Sequence, residues 1–344
     1  MSTAIVYVQL GDNPSKTLLS FAKNAQNLLE YSNSILITDV PEKWLDFPGE
    51  LVDISNFQYA QGYSRFEKAN RELKKIAGGY WLNTLKRLFA LEILSNHPSI
   101  TGDIVHFESD VFSLLTTSTV EVLRKNVKTA AIPRFSDQRG IASILYIRDK
   151  TEIRILIEKL SLLLQNNLDI KDDMELLGFA LNENKIQELP SLPSDAWQYK
   201  GQNYIFDGAA YGQYLFGQDP FHTSGKIISG YKNPDFKFDV ISAKWKINQS
   251  DAKENLSFHF QGTEYILSNV HVHSKIPLGP LSESNQIWTT YLSEANGETH
   301  RSIVTESEPS IHSGKLPLLT KLILAKKKGL LRSIISKILR TINT

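Results

Sequence analysis

Short apolar runs alternate along the chain with longer segments in which apolar residues recur at helical spacing. Residues 3–10 (TAIVYVQL) and 34–38 (SILIT) are rich in β-branched residues and predict strands. Between them, the apolar residues of segment 14–30 recur every three or four positions, which predicts a helix. A strand, a helix and a second strand in this order favour a parallel sheet with crossover helices.

The same alternation continues towards the C-terminus. Residues 63–95 predict mainly helix, with a stripe of core-facing residues at Leu82, Leu85, Phe89 and Ile93. Further short apolar runs predict strands at 104–107, 129–132 and 141–147, around Trp245 and at 258–260. We therefore predict an α/β fold with a mixed, mostly parallel sheet flanked by helices.

The run Ile104–Phe107 ends in the acidic segment Glu108-Ser109-Asp110. Open α/β sheets bind ligands at the C-terminal ends of their strands. An unpaired buried charge is very costly, so two carboxylates at such a strand end indicate a bound cation. Mg²⁺ and Mn²⁺ accept oxygen ligands, and we predict that Asp110 binds the cation while Glu108 contacts it through water or holds a ribose. A strand-end turn with two solvated acids is the alternative.

A second cluster, His271, His273 and Lys275, lies far downstream. Both imidazoles face the same side if the segment is extended. Imidazole suits manganese better than magnesium, so the cluster favours Mn²⁺. We prefer His273 to His271 as the ligand because it lies nearer Lys275, whose charge would neutralise a diphosphate. Structural histidines and an exposed lysine are the alternatives.

Other charged residues have two interpretations each. Arg87 lies on the helix before the acidic strand and could bind phosphate with two hydrogen bonds. Asp172 and Asp173 begin a predicted helix at 172–180, either as helix-terminal acids or as a pair that accepts a hydroxyl proton. Asp207 precedes a short helix that stops at Gly217, so it is either an N-cap or a third acid of the site.

The composition excludes several classes of protein. The chain of 344 residues contains no cysteine, which excludes disulfides and thiolate metal sites and fits a reducing compartment. No 18-residue apolar stretch predicts a membrane-spanning helix. The sequence lacks GxGxxG, a Walker loop, a nucleophile elbow and HExxH, which argues against dinucleotide oxidoreductases, P-loop NTPases, serine hydrolases and zincins.

The order of these segments resembles that of GT-A glycosyltransferases. HFESDVF (106–112), after the helical YWLNTLKRLFALEIL, resembles their Asp-x-Asp metal motif, although Glu108 stands where the family has aspartate. RGIAS (139–143) resembles a donor-sugar loop, and DDM (172–174) an acidic helix start that lines the acceptor. His273 matches a C-terminal metal ligand. FDGAAYGQYLFG (206–217) is similar to bacterial enzymes of capsule and O-antigen assembly.

This resemblance covers roughly residues 3–280 and implies a Rossmann-like enzyme. It would transfer a sugar from a nucleoside diphosphate, with UDP favoured, to a saccharide or lipid-linked acceptor, using Mn²⁺ or Mg²⁺. Ser143 would then contact the donor, and Asp173 is the first candidate for the base of an inverting enzyme. Retaining or inverting stereochemistry, the sugar and the acceptor stay open, and no nucleic-acid partner is expected.

The charge distribution sets the C-terminal tail apart. Residues 309–344 carry eight basic and no acidic side chains, so residues 1–308 have a formal net charge of −7. We predict a catalytic domain at 1–294, a polar linker at 295–314 and a basic amphipathic helix at 315–344 that lies on an anionic membrane. This implies a cytoplasmic protein, peripheral on the inner face of the bacterial cytoplasmic membrane. The alternatives are a tail docked on its own acidic body and an oligomer contact.

Two other functions compete with sugar transfer. A metal-dependent nucleotidyltransferase would use the same acids, but the first strand is followed by Gly11-Asp12-Asn13 rather than by a glycine-rich basic loop. A non-catalytic carbohydrate-binding protein of the membrane surface would need no metal and would turn over no donor.

Overall fold

The computed structural model of the protein describes residues 2–11, 15, 17–28, 32–70, 80–167, 169–219, 230–250, 253–275, 278, 288, 291–293 and 295–296. The helices are α1 (Leu18–Leu28), α2 (Gln61–Ala69), α3 (Tyr80–Ala90), α4 (Thr117–Asn126), α5 (Lys150–Asn166), α6 (Asp173–Asn182) and α7 (Ala210–Phe216). Short 3-10 helices lie at Pro41–Lys43, Leu91–Asn96, Pro193–Asp195 and Val240–Ser242. The strands are β1 (Thr3–Gln9), β2 (Ser32–Thr38), β3 (Glu50–Asp53), β4 (Asp103–Phe107), β5 (Val111–Ser113), β6 (Ala130–Ser136), β7 (Arg139–Gly140), β8 (Ile144–Ile147), β9 (Gln187–Leu189), β10 (Trp197–Tyr199), β11 (Gln202–Ile205), β12 (Lys244–Ser250), β13 (Lys253–Phe260), β14 (Thr263–Leu267) and β15 (Asn269–His271).

The central sheet has eight strands in the order β3-β2-β1-β4-β8-β6-β7, with β9 paired to β6. Pairs β3–β2, β2–β1, β1–β4 and β6–β9 are parallel, whereas β4–β8, β8–β6 and β6–β7 are antiparallel. The predicted mixed, mostly parallel sheet is therefore confirmed. Because β1, β2 and β4 run parallel, their C-terminal ends lie along one edge, and β4 delivers Glu108 there.

Helices cover both faces of this sheet. Alternate residues of β1 point to opposite sides, so Val6 and Val8 pack with helices α2, α3, α5 and α6, while Ile5 and Tyr7 pack with α1 and α4. Burial on both faces explains why β1 is a nearly continuous apolar run. The predicted stripe of α3 is also confirmed, because Leu82, Leu85 and Phe89 are buried in the first of these cores.

A smaller sheet, in the order β10-β11-β14-β13-β12, packs with α7 around a third core rich in aromatic side chains. A two-stranded ribbon of β5 and β15 connects the two parts, because β5 follows the acidic turn directly and β15 follows β14. Phe112 of β5 lies in this third core and contacts Phe21 of α1 edge to face, at 5.3 Å between ring centroids. The ribbon thus fixes the end of β4 against the smaller sheet.

Some sequence predictions differ in detail. The predicted strand at 141–147 is shortened to β8, because residues 141–143 lie outside any strand and the Ser143 hydroxyl donates to the Asp207 carbonyl oxygen. The predicted helix at 63–95 becomes α2, α3 and a 3-10 helix, and residues 71–79 lie outside the described residues. The amphipathic tail at 315–344 and the linker, apart from Ala295 and Asn296, also lie outside them.

Within the ranges given above, no helix combines the length and the apolar character needed to cross a bilayer.

Replacing Gly178 of α6 by alanine is expected to destabilise the protein by about 1–3 kcal/mol. A Cβ atom at this position would lie 2.0 Å from the carbonyl oxygen of Gln138 and 2.9 Å from the Cα of Arg139, so α6 would have to move away from β7. In an unobstructed helix the same change would stabilise by about 1 kcal/mol. Urea unfolding measures the difference, with the exposed neighbour Phe179→Ala as a control expected to change little. A more stable Gly178→Ala protein would contradict this packing.

Candidate metal centre

The turn between β4 and β5 presents Glu108 and Asp110. It is closed by a hydrogen bond from the Val111 amide to the Glu108 carbonyl oxygen, 3.1 Å long. The Ser109 carbonyl oxygen between the two acids accepts from the Thr17 hydroxyl at 2.9 Å, just before α1. The turn is therefore held from both sides, and its two acidic side chains have a defined position.

His271 reaches this turn through strand pairing. In the antiparallel ribbon, His271 pairs with Val111 and Val270 with Phe112. The His271 Nε2 lies 3.3 Å from Asp110 Oδ1 and 3.6 Å from Glu108 Oε2. A single strand register therefore joins segments that are separated by about 160 residues in the sequence.

Glu108, Asp110 and His271 each offer one ligand atom, and these atoms lie within 4.8 Å of one another. Glu108 and His271 are buried and Asp110 is partly buried. Two carboxylates and one imidazole are donors that Mn²⁺ accepts readily, and oxygen donors also suit Mg²⁺. The residues therefore fit a divalent cation, and the donor set leaves its identity open.

The charges of this group are strongly coupled. Burial would raise the pKa of Asp110, but His271 and Lys275 outweigh burial and hold that pKa well below its usual range. Burial likewise opposes the protonation of His271, but Asp110 and Glu108 outweigh it and raise the pKa of His271 to about 9. The carboxylates thus favour a positive charge close to them, which a bound metal ion would supply.

Two cationic side chains flank the group. Arg87 of α3 donates to Glu108 Oε1 at 2.7 Å and lies 3.7 Å from Asp173 Oδ2. Lys275 Nζ lies 3.2 Å from Asp219 Oδ2 and 3.8 Å from Asp110 Oδ2. Burial opposes both positive charges, but the facing carboxylates outweigh it and raise both pKa values. Arg87 and Lys275 therefore stay cationic beside the candidate metal ligands.

The two acids at the start of α6 have different environments. Asp172 is the N-cap, since its Oδ1 accepts from the Glu175 amide at 2.9 Å, and its Oδ2 accepts from Arg139 at 2.8 Å. Asp173 is buried beside Arg87, and burial raises its pKa to about 6. Asp172 thus has its two oxygens engaged in capping and an ion pair, whereas Asp173 is linked to the candidate metal centre through Arg87, which also donates to Glu108.

Asp207 and Ser143 lie behind the histidine rather than beside the carboxylates of the turn. The Asp207 side chain accepts from the backbone amides of Tyr211, Gly212 and His271, and burial raises its pKa to about 6. The N-cap of α7 is Ala209 rather than Asp207 as predicted, but the Asp207 carboxylate still accepts from two amides of the first helical turn. Ser143 is fully buried and donates to the Asp207 carbonyl oxygen at 2.7 Å.

His273 does not occupy the position expected for it. β15 ends at His271, and a turn follows in which the Lys275 amide bonds to the Val272 carbonyl oxygen at 2.8 Å. This turn stacks the His273 ring on that of His271, with 3.9 Å between ring centroids. The preference for His273 rested on its closeness to Lys275 in the sequence, whereas the structure places His271 in the group of possible ligands.

Two ion pairs near the site were not predicted from the sequence. Arg139 pairs with Asp172, and Asp219 pairs with Lys275. Lys275 also has a left-handed backbone, with φ +57°, which is uncommon for a residue other than glycine. No spacing in the sequence indicates these pairs, because each joins segments that are far apart along the chain.

The chain was compared with protein families, curated proteins and solved structures, and only solved structures are similar to it. No protein-family model and no curated protein matches the chain. Similar solved structures include the PaToxG glycosyltransferase, at 13% identity and a TM-score of 0.37, covering 53% of this chain and 69% of that one. The apo form of the glycosyltransferase GlyE from Streptococcus pneumoniae TIGR4 has 12% identity and a TM-score of 0.36, over 55% of this chain and 44% of its own. Mouse xyloside xylosyltransferase 1 has 10% identity and a TM-score of 0.35, over 55% and 85%.

These structural neighbours are glycosyltransferases. At such identities the likeness concerns the fold, and the chain spans less than half of GlyE. The chemistry of this protein therefore has to be argued from its own side chains.

His271→Ala is expected to weaken Mn²⁺ binding more than His273→Ala does. Loss of an outer-shell partner already weakens metal sites by roughly tenfold or more, so loss of a ligand should weaken binding by at least that factor. Titration calorimetry with Mn²⁺ measures both affinities, and His259→Ala, a change at a partly exposed histidine of β13, serves as the control. Equal Mn²⁺ affinities of the two variants would contradict the role of His271 as the metal ligand.

Proposed function

We propose that the protein is a metal-dependent glycosyltransferase that uses a nucleoside-diphosphate sugar. The observation that carries this proposal is the group of Glu108, Asp110 and His271 at the C-terminal end of β4. That edge of an open α/β sheet is where ligands bind. Arg87 and Lys275 add fixed positive charge on both sides of the group, which suits a diphosphate.

The three ligand residues would hold the cation, which when bound supplies Lewis-acid stabilisation of the diphosphate charge. Lys275 is placed to bind the departing diphosphate, because its ammonium group lies near Asp110. Arg87 already donates to Glu108 and so fixes that carboxylate in place. In the reaction the bond from the anomeric carbon to the diphosphate oxygen breaks, and a bond from that carbon to the acceptor oxygen forms.

The acceptor hydroxyl must also lose its proton. Asp173 is our candidate base if the enzyme inverts configuration, because it is buried near Arg87 beside the metal group. Burial raises the pKa of Asp173 to about 6, which is close to the value that general base catalysis at neutral pH favours. The proton of the hydroxyl would then pass to Asp173, and the nucleoside diphosphate would leave as an anion.

The finer features of the proposal come from the sequence. UDP as the nucleotide and a saccharide or lipid-linked acceptor follow from the resemblance to enzymes of capsule and O-antigen assembly, and Mn²⁺ is favoured because it suits an imidazole ligand. The basic segment 315–344 on a body with an acidic balance supports binding to an anionic membrane surface. A lipid-linked acceptor would be met at that surface.

Asp110→Ala is expected to reduce donor turnover by at least about 100-fold, roughly 2.7 kcal/mol of barrier, because it removes a metal ligand. The assay incubates the protein with a panel of nucleotide sugars, with and without Mn²⁺, and measures released nucleoside diphosphate. The exposed Asp195→Ala is the matched control, and thermal melting checks the fold of both variants.

Three outcomes of this assay, run also with nucleoside triphosphates and combined with saccharide binding, would contradict the proposal. Wild-type turnover in excess chelator would exclude the metal mechanism. Release of pyrophosphate from nucleoside triphosphates, without sugar transfer, would favour a nucleotidyltransferase. Binding of saccharides without any turnover would favour a carbohydrate-binding protein.

Asp173→Asn is expected to reduce sugar transfer by more than about tenfold, roughly 1.4 kcal/mol, while donor binding stays nearly unchanged. The amide cannot accept the hydroxyl proton, although it has the same shape. Transfer rates and calorimetric binding of the donor measure the two effects. A smaller loss of transfer would remove Asp173 as the base and favour a retaining mechanism.

The stability of Asp173→Asn relative to wild type should also depend on pH. Since the folded-state pKa of Asp173 is raised to about 6, its ionisation lowers stability as the pH rises from about 4 through 6, by up to about 3 kcal/mol. Asparagine does not ionise, so the stability of Asp173→Asn relative to wild type should increase between pH 4 and 7. Thermal melting of both proteins at pH 7 shows directly whether a loss of transfer comes from unfolding.

The full-length protein is expected to float with anionic liposomes and not with neutral ones, and a form ending at Gly314 with neither. Each basic residue near an anionic surface contributes on the order of 1 kcal/mol, so the binding should weaken as salt is added. Equal flotation of the two forms, or none at low salt, would contradict a membrane role for the tail.

A further inference from the structure

Asp207 occupies the position that connects the smaller sheet to His271. It follows β11 and is fully buried, with 0% of its surface exposed. Its Oδ1 accepts from the Tyr211 amide at 3.1 Å, and its Oδ2 accepts from the amides of Gly212 at 2.9 Å and His271 at 3.0 Å. One carboxylate therefore ties the first turn of α7 to the strand that carries the candidate metal ligand.

The backbone of Asp207 is fixed by a second buried side chain. The Asp207 amide donates to Asn269 Oδ1 at 3.0 Å, and Asn269 Nδ2 donates to the Asp207 carbonyl oxygen at 2.8 Å. Asn269 is the first residue of β15 and is fully buried. Asp207 and β15 are thus held to each other by side chains from both segments.

The next residue, Gly208, orients the imidazole of His271. Its carbonyl oxygen lies 3.0 Å from His271 Nδ1. A carbonyl oxygen only accepts, so Nδ1 carries a proton and donates it. This leaves Nε2 as the atom directed at Asp110 and Glu108, 3.3 and 3.6 Å away. Fixing one ring nitrogen in this way is how proteins present the other to a metal.

Close packing leaves β15 little freedom to move. A Cβ atom on Gly212 would lie 2.0 Å from the His271 carbonyl oxygen and 3.0 Å from Asp207 Oδ2. The backbone of His271 therefore rests directly on α7, in contact that only glycine allows. The position of His271 therefore depends on that of α7, whose Tyr211 and Gly212 amides donate to the Asp207 carboxylate.

We infer that Asp207 is a positioning residue for the metal centre, acting through the backbone and the imidazole of His271, and does not itself exchange protons with substrate. The inference rests on the proposed function for the metal, but the contacts that carry it do not involve one. A carboxylate is required because all three of its partners are N–H donors. Asparagine would direct its own N–H groups at one or more of these donors.

The test compares Asp207→Asn with wild type and with Asp103→Asn. Asp103 is a buried acid at the other end of β4, where it pairs with Arg124 and Thr3, so its variant controls for general loss of stability. Mn²⁺ alone is titrated calorimetrically at temperatures where each protein is folded. We expect Asp207→Asn to bind Mn²⁺ at least about tenfold more weakly and Asp103→Asn to stay within about twofold of wild type. Equal affinities of Asp207→Asn and wild type, or an equal loss in both variants, would overturn the inference.

A second measurement needs no metal. The imidazole Nδ1–H signal of His271, assigned by its absence in His271→Gln, is followed by NMR in metal-free protein. The hydrogen bond to Gly208 should make this signal slow to exchange in wild type and in Asp103→Asn, and fast in Asp207→Asn. Failure of wild type to bind Mn²⁺ would overturn the proposed metal function, whereas an unchanged signal in Asp207→Asn would overturn the positioning role.

Asn269→Ser is the second variant if Asp207→Asn does not fold. It removes the side-chain amide that bonds to both the amide and the carbonyl oxygen of Asp207, and it keeps all three bonds to the carboxylate. We expect a several-fold loss of Mn²⁺ affinity and faster exchange of the His271 signal. Wild-type values of both quantities in a folded Asn269→Ser protein would contradict the inference.

Discussion

The burial of acidic side chains close to one another is the constraint on which the site depends. Glu108 and Asp173 are buried and Asp110 is partly buried, and burial makes the negative charge of an acid unfavourable. The fold offsets this with cations from distant segments: Arg87 from α3, and His271 and Lys275 from β15 and the turn after it. Removing one partner would leave an uncompensated charge, so α3, the β4–β5 turn, α6 and β15 depend on one another.

The local environment gives the aspartates of the site different pKa values and different hydrogen-bond partners. The pKa of Asp110 is held low by His271 and Lys275, whereas burial raises that of Asp173 to about 6. Groups whose pKa values are displaced in opposite directions often have different chemical roles. Asp172 and Asp207, by contrast, use their oxygens on backbone amides and, for Asp172, also on Arg139. Asp110 therefore belongs to the candidate metal group and Asp173 lies beside Arg87, whereas the other two acids bind backbone amides of helices and a strand.

The local spacing of apolar and polar residues was sufficient to predict many of the strands and helices. The strands β1, β2 and β4, the buried stripe of α3 and the acidic start of α6 could all be predicted, because each depends on the spacing of residues close in sequence. The acidic end of β4 could be predicted to lie at a ligand-binding edge for the same reason. Strand β8 was predicted too long, since Ser143 leaves the ladder to bond with Asp207.

The composition of the metal centre could not be predicted to the same level. Which histidine meets the carboxylates is decided by the pairing of β15 with β5 and by the turn that follows, and both are tertiary features. The supporting role of Asp207 depends on a hydrogen bond to an amide 64 residues away. Sequence could name the candidates, whereas long-range register determined their positions.

The central claim is that Glu108, Asp110 and His271 bind a divalent cation. The most direct test is a crystal structure with Mn²⁺, using anomalous diffraction to locate the ion. The account predicts an anomalous peak between the two carboxylates and His271 Nε2, within coordination distance of all three. A peak elsewhere on the protein, or none at this position under saturating Mn²⁺, would contradict it.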